Sequence, residues 1–161
     1  MKNLLYFLKN SKKKYIAVYP DKYTEDNLKN YAYECGFDIE SGYEGKDIPF
    51  NFHITVFFTE SRHHNIANGE FFIDPFSVRA TQFDLLGEER NIPVLKVESK
   101  SLSKIRERYE NMGLRDKWGS YLPHISMSYN YSGNPAIEML DLPDFPLIFD
   151  RIKIEDLNEG T

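Results

Sequence analysis

The sequence is short of several things. It has one cysteine, Cys35, in 161 residues. A single thiol makes no internal disulfide and no cysteine-based zinc site, and it fits a reducing cytoplasm. No apolar stretch approaches the roughly 20 residues of a membrane-spanning helix. The apolar "LLYFL" near the start is followed by Lys12, Lys13 and Lys14 where a signal peptide would be preceded by its basic residues. An amphipathic first element and a solvated lysine turn are expected there. Positive charge is also scarce: 20 Lys and Arg against 25 Asp and Glu leave a net charge of −5. Long duplex nucleic acid needs a basic footprint and is not an expected partner. A small anionic ligand in a locally positive pocket stays compatible. No linker or low-complexity stretch divides the chain, so residues 1–161 read as one domain.

What is present is an aromatic-rich core. Hydrophobic residues make up 41%, with twelve Phe and eleven Tyr, which speaks against disorder. "YIAVYP" predicts a strand ending at Pro20. Thr24 is placed to cap a helix carrying Leu28, Tyr31, Ala32 and Cys35, closed by Gly36. Strands are predicted at "FNFHITVFF", at a short "EFFID", at "FSVRATQFDLLG" and at "IPVLKVES". Ser99 or Ser101 caps a second helix that ends by Gly113. "YLPHISMSYNY" and "LIFDRIKIEDL" are the last strands. Strands and helices in this order point to an α+β fold with antiparallel sheets.

Histidine is rare, with four in the chain, yet two sit inside strand-like runs, each followed two residues later by a hydroxyl. These are His53 with Thr55, and His124 with Ser126. In a strand, residues i and i+2 share a face. His53 and Thr55 then face one way, and Phe52, Ile54, Val56 and Phe58 the other. His124, Ser126 and Ser128 share a side opposite Ile125, Met127 and Tyr129. Two such strands side by side bring two imidazoles and two hydroxyls into one small volume. That set fits phosphodiester cleavage, in which one group takes a proton from the attacking oxygen and another gives one to the leaving oxygen. The hydroxyls hold the non-bridging oxygens, and no metal is required. One H-x-[ST] alone is most often a structural strand residue pair; two with matching surroundings favour function.

The pair F-H-I-T and P-H-I-S resembles the signature of the two-histidine (2H) phosphoesterases, H-x-[ST] twice at about this spacing. The resemblance implies a bilobal, pseudo-two-fold fold. Two antiparallel sheets would line a central cleft, with helices outside. It implies His53, Thr55, His124 and Ser126 as the catalytic four, with Ser126 standing where Thr is commoner, and no metal or cofactor. Within that superfamily the chain is most similar to the phage anti-CBASS phosphodiesterases, which destroy cyclic oligonucleotide immune signals. By that resemblance Tyr19 and Glu155 contact nucleobases, the substrate is a small cyclic di- or trinucleotide, and the setting is the host bacterial cytoplasm. A monomer is expected. RNA-end or tRNA-splicing cyclic phosphodiesterase, 2′–5′ oligoadenylate phosphodiesterase and non-catalytic nucleotide sponge are the competing readings, and a metal-dependent hydrolase would be silenced by chelator.

Other residues carry weaker signals. Trp118, with Arg115, Lys117 and Tyr121, offers charge and a stacking face just ahead of His124. Phe83 is a second stacking candidate that fits a core position as well. His63 and His64 lie in the polar "SRHHNIANGE", which reads as a solvated connection, with no ligand spacing around it.

Overall fold

A computed structural model describes residues 12–41, 49–63, 66–87, 89–116, 120–133 and 136–157. Among the described residues there are six strands and two helices. In chain order they are β1 (Lys12–Pro20), α1 (Lys22–Cys35), β2 (Ile54–His63), β3 (Gly69–Leu86), β4 (Ile92–Glu98), α2 (Lys100–Asn111), β5 (His124–Ser126) and β6 (Leu147–Asp156). A short 3₁₀ turn, Ile137–Met139, precedes β6. Every pairing is antiparallel, and the order β1-β2-β5-β4-β3-β6 closes on itself because β6 pairs back onto β1.

The fold is α+β and antiparallel, but hydrogen bonding joins all six strands in one ring where the resemblance implied two sheets. The reason lies in β3. The predicted "EFFID" and "FSVRATQFDLLG" strands are one 18-residue strand. Its first part pairs with β6 and its second with β4, so it belongs to both arcs of the ring. A register break between Phe72 and Phe76, where Pro75 sits, interrupts the part paired with β6. A residue without an N–H removes no ladder bond at a bulge. The ring is thinnest at β5, which meets β2 through the single pair Ile54↔Ile125.

One side-chain row runs round the ring through register partners: Phe83, Leu95, Ile125, Ile54, Val18, Ile152 and Phe71. Leu95, Ile125, Ile54 and Val18 are fully buried in the main apolar cluster. Leu28 and Ala32 of α1 and Leu102 of α2 join the same cluster, so this is the face the helices cover. Burying each such aliphatic side chain stabilises by about 1.5–3 kcal/mol. The opposite face of the ring is left for polar side chains.

Two local details differ from expectation, at Thr24 and at the three lysines, while Gly36 and Ser99 stand where expected. Helix α1 starts a turn early: Asp21, not Thr24, is the N-cap, its carboxylate accepting from the Thr24 N–H at 2.7 Å. Thr24 is buried, and its hydroxyl accepts from the Ile148 N–H at 3.0 Å, tying α1 to β6. Gly36 closes the helix at φ 83°, a left-handed conformation that favours glycine. Ser99, not Ser101, caps α2 through the Leu102 N–H at 3.2 Å. The three lysines are no solvated turn but the start of β1. Lys14 is 6% exposed, with Nζ 2.6 Å from Asp156 and 2.9 Å from Asn68 Oδ1.

Candidate active site

Opposed residues in an antiparallel pair share a face. Ile54↔Ile125 therefore sets His53 across from Ser126, and Thr55 across from His124, on the face away from the core. The two imidazoles become diagonal neighbours, about 7–8 Å apart at their Cα atoms. Register partners extend this face on both sides. From Thr55 the row continues through Ala17, Lys153 and Glu70. From His124 it continues through Lys96 and Gln82. The adjacent row runs from Ser126 through Val94 to Asp84. On its other side, Tyr19 pairs with Arg151 and Arg151 with Phe72. The Tyr19 ring lies 5.8 Å from the His53 ring, closing that row onto the histidine.

Both imidazoles are held in the same way. His124 Nδ1 lies 2.8 Å from the Leu122 carbonyl, two residues upstream. His53 Nδ1 lies 3.2 Å from the Asn51 carbonyl, also two residues upstream, and 2.8 Å from Asn51 Oδ1. A carbonyl only accepts, so Nδ1 carries the proton in each ring and donates it. That fixes the tautomer: Nε2 of each ring is the nitrogen left to take or give a proton. The likeness of the two H-x-[ST] motifs thus extends to the ring anchors.

The surroundings of the two rings differ. Burial holds His53 below its ordinary value of 6.5, and the neighbouring His124 pushes it the same way, while the Asn51 carbonyl pulls it partly back. An imidazole tuned so is neutral near pH 7 and fit to be a base. Tyr15 lies edge-on to His53, 6.2 Å between centroids, and its hydroxyl is 2.6 Å from Thr55 Oγ1. Burial keeps the Tyr15 phenol well above the usual tyrosine range, so it stays protonated. Ser126 has no such hydroxyl partner among the described residues.

Behind Thr55 the ladder is irregular. The β1–β2 register shifts between Thr55 and Phe57, making Val56 a bulge residue. The bulge swaps the expected alternation: Val56 and Phe57 are both fully buried, and Phe58 makes a T-shaped contact with Tyr15. Side chains take the carbonyls that β5 is too short to pair. Tyr121 donates to the Thr55 carbonyl at 2.7 Å, and Arg106 of α2 donates to the Val56 carbonyl at 2.6 Å. The Arg106 guanidinium lies between the Phe57 and Tyr121 rings, 4.2 and 3.9 Å from their centroids, and pairs with Asp116.

Of the base-contact candidates, Tyr19 stands beside His53, and Arg151 lies 5.8 Å over its ring. Burial, with Glu155 and Glu70 nearby, raises the Tyr19 phenol to about 12. Glu155 is across from Tyr15 on β6. A cavity of about 210 Å³ opens here, lined by Tyr19, Asn51, Glu70, Arg151 and Lys153 among others. Phe83 is not brought to the histidines. It is paired with Leu95 on the core face, and its ring lies 6.4 Å from Phe37. Trp118 and Lys117 lie outside the described residues, as does His64; Arg115 turns back onto the carbonyls of Glu110 and Leu114. Ser128 leaves the histidine face because β5 ends at Ser126; it is buried and donates to the Asp38 carbonyl. Sequence reasoning missed Tyr15, Lys96, Arg106 and Arg151. Each strand's period of two puts Tyr15, Lys96 and Arg151 on one of its faces, but only strand order shows which faces combine.

Compared with known families, residues 12–161 match the model described as anti-CBASS protein Acb1. The chain belongs to that family. The matched span takes in both histidine motifs, and both ends of the β1–β6 ladder beside them. Among curated proteins the sequence has no significant match. A solved structure titled "Crystal structure of phosphoesterase" is similar at 10% identity and a TM-score of 0.45, over 94% of this chain and 92% of that one, too distant to carry an argument. For this member of the Acb1 family, no helix among the described residues is long and apolar enough to cross a membrane. Nor, among them, do three His, Cys, Asp or Glu side chains gather as a cation site requires.

Proposed function

We propose that the chain is a metal-independent phosphodiesterase that cuts 3′–5′ linkages of cyclic di- or trinucleotides, the signals an anti-CBASS protein would remove. The observation that carries this reading is the mirrored pair of imidazoles. Each has Nδ1 donating to a carbonyl two residues upstream and, among the described residues, no partner at Nε2, and they sit diagonally across one strand seam with a hydroxyl opposite each.

His53 Nε2 takes the proton from a ribose 2′-OH. The 2′ oxygen attacks the adjacent phosphorus as the bond to the 5′ oxygen breaks, and protonated His124 gives that oxygen its proton through Nε2. The product is linear, with a 2′,3′-cyclic phosphate at one end and a 5′-OH at the other. Water opens the cyclic phosphate with the proton roles reversed. Thr55 and Ser126 donate to the non-bridging oxygens. Tyr19 and Glu155 contact the bases. The lowered affinity of His53 for protons supports the assignment of base to His53 and acid to His124. The same reading takes residues 1–161 as one two-lobed domain, with the β2–β5 seam at its pseudo-two-fold, acting as a monomer in the cytoplasm of an infected bacterium.

The test is turnover of 3′,3′-cyclic GMP–AMP with EDTA present, products resolved by mass spectrometry, alongside His53→Ala and His124→Ala. Linear product from wild type alone is the expected result. Intact but bound substrate would make the protein a sponge, and indifference to it would redirect the search to RNA 2′,3′-cyclic ends and 2′–5′ linkages. A 2′-deoxy linkage should resist cleavage.

A further inference from the structure

Among the described residues, the centre of the histidine face carries two imidazoles and two hydroxyls and no permanent charge. A phosphodiester brings one negative charge, and attack by the 2′ oxygen adds more to its non-bridging oxygens. A fixed cation close by would stabilise that developing charge more than the hydroxyls alone. Among the described residues, Lys96 lies on the row of His124, Lys153 on the row of Thr55 and Arg151 on the row of Tyr19. Arg151 is committed, donating to the Pro20 carbonyl at 2.9 Å and to Glu70 at 3.1 Å. Lys153 is two strands from Thr55, with Ala17 between them.

Lys96 is directly across from His124 in the β4–β5 ladder. One strand spacing, about 4.8 Å, separates them, and a lysine stem spans that distance. Its ammonium rests 3.0 Å from Asp84 Oδ2, on the side away from His124, and the side chain is 27% exposed. Asp84 does not depend on it alone. Its Oδ1 accepts from the Leu85 N–H at 2.8 Å and meets Arg90 at 3.4 Å. The carboxylate therefore stays partnered when the ammonium swings away.

We propose that Lys96 is a catalytic residue, its ammonium leaving Asp84 to hold a non-bridging oxygen of the phosphate between His53 and His124. The proposal rests on the phosphodiesterase reading above, and its test separates the two. Inorganic phosphate is titrated into wild type, Lys96→Met and Lys96→Arg, and the His53 and His124 ring resonances are followed by NMR. Turnover of 3′,3′-cyclic GMP–AMP and thermal melting are measured on the same proteins and on Asp84→Asn.

The expected result is a saturable shift in wild type and in K96R, weakened at least about tenfold in K96M, with kcat in K96M down about 100-fold and KM little changed. Asp84→Asn keeps its turnover, because it frees the ammonium without removing it. Phosphate shifts that ignore residue 96, or are missing from wild type, overturn the proposal. So does an unchanged kcat in K96M, or an equal loss in D84N, which would make the ion pair structural. Lys96-dependent phosphate binding in a wild-type protein that leaves the cyclic dinucleotide intact would instead overturn the substrate reading and leave the Lys96 site standing.

Discussion

The two histidine strands share a motif and a ring anchor yet are built differently. β2 is ten residues long, and its Thr55 is gripped from two sides, hydroxyl by Tyr15 and carbonyl by Tyr121, with Arg106 on the next carbonyl. β5 is three residues long and carries Ser126 with no comparable grip among the described residues. The β2 side also holds the desolvated imidazole. A repeated motif therefore supplies matching groups to both strands, while the hydrogen bonds around each strand differ.

The largest expected effects test what the halves share. His53→Ala and His124→Ala should each lower kcat by about 1,000-fold, and the double variant should be little worse, because the two transfer protons in one step. A double loss equal to the product of the singles would show that the rings act independently. The hydroxyls come next and sharpen the contrast. Thr55→Val should cost about 100-fold and Ser126→Ala about tenfold, since a preoriented donor contributes more than a free rotor. Tyr15→Phe should narrow that gap by weakening the Thr55 side alone, and equal losses at both hydroxyls would remove the asymmetry.

Arg106→Met tests the support itself. Asp116 keeps a largely buried charge without its partner, so stability to urea should fall by about 3 kcal/mol. The smallest effect is in pH. Folded His53 binds its proton less readily than the unfolded chain, whose imidazole titrates near 6.5. Its contribution to stability is therefore present above pH 6.5 and lost as pH falls toward the lower folded value. The unfolding free energy of wild type should drop more steeply below pH 6.5 than that of His53→Gln, and parallel slopes would mean the ring is not desolvated.

The element types were legible because alternation and caps are local: "YIAVYP", the Ser99 cap and the glycine stop at Gly36 all stand where expected. Failures occurred where a distant partner intervened. Thr24 lost its cap role because the Ile148 N–H needed its hydroxyl, and Lys14 became buried because Asp156 and Asn68 meet it. Phe83 was ambiguous by type, and strand pairing with Leu95 put it on the core face.

By itself the sequence determined that the chain is aromatic-rich and α+β with two H-x-[ST] strands, and that each histidine shares a face with the hydroxyl two residues on, because the period of an unbulged strand is two. Only the tertiary structure decided that the strands close into one ring, that Ile54 meets Ile125, and that Lys96, Tyr15 and Arg106 gather around the histidines. Those facts rest on which strand lies beside which and in what register, and on a bulge at Val56, none of which a local pattern encodes.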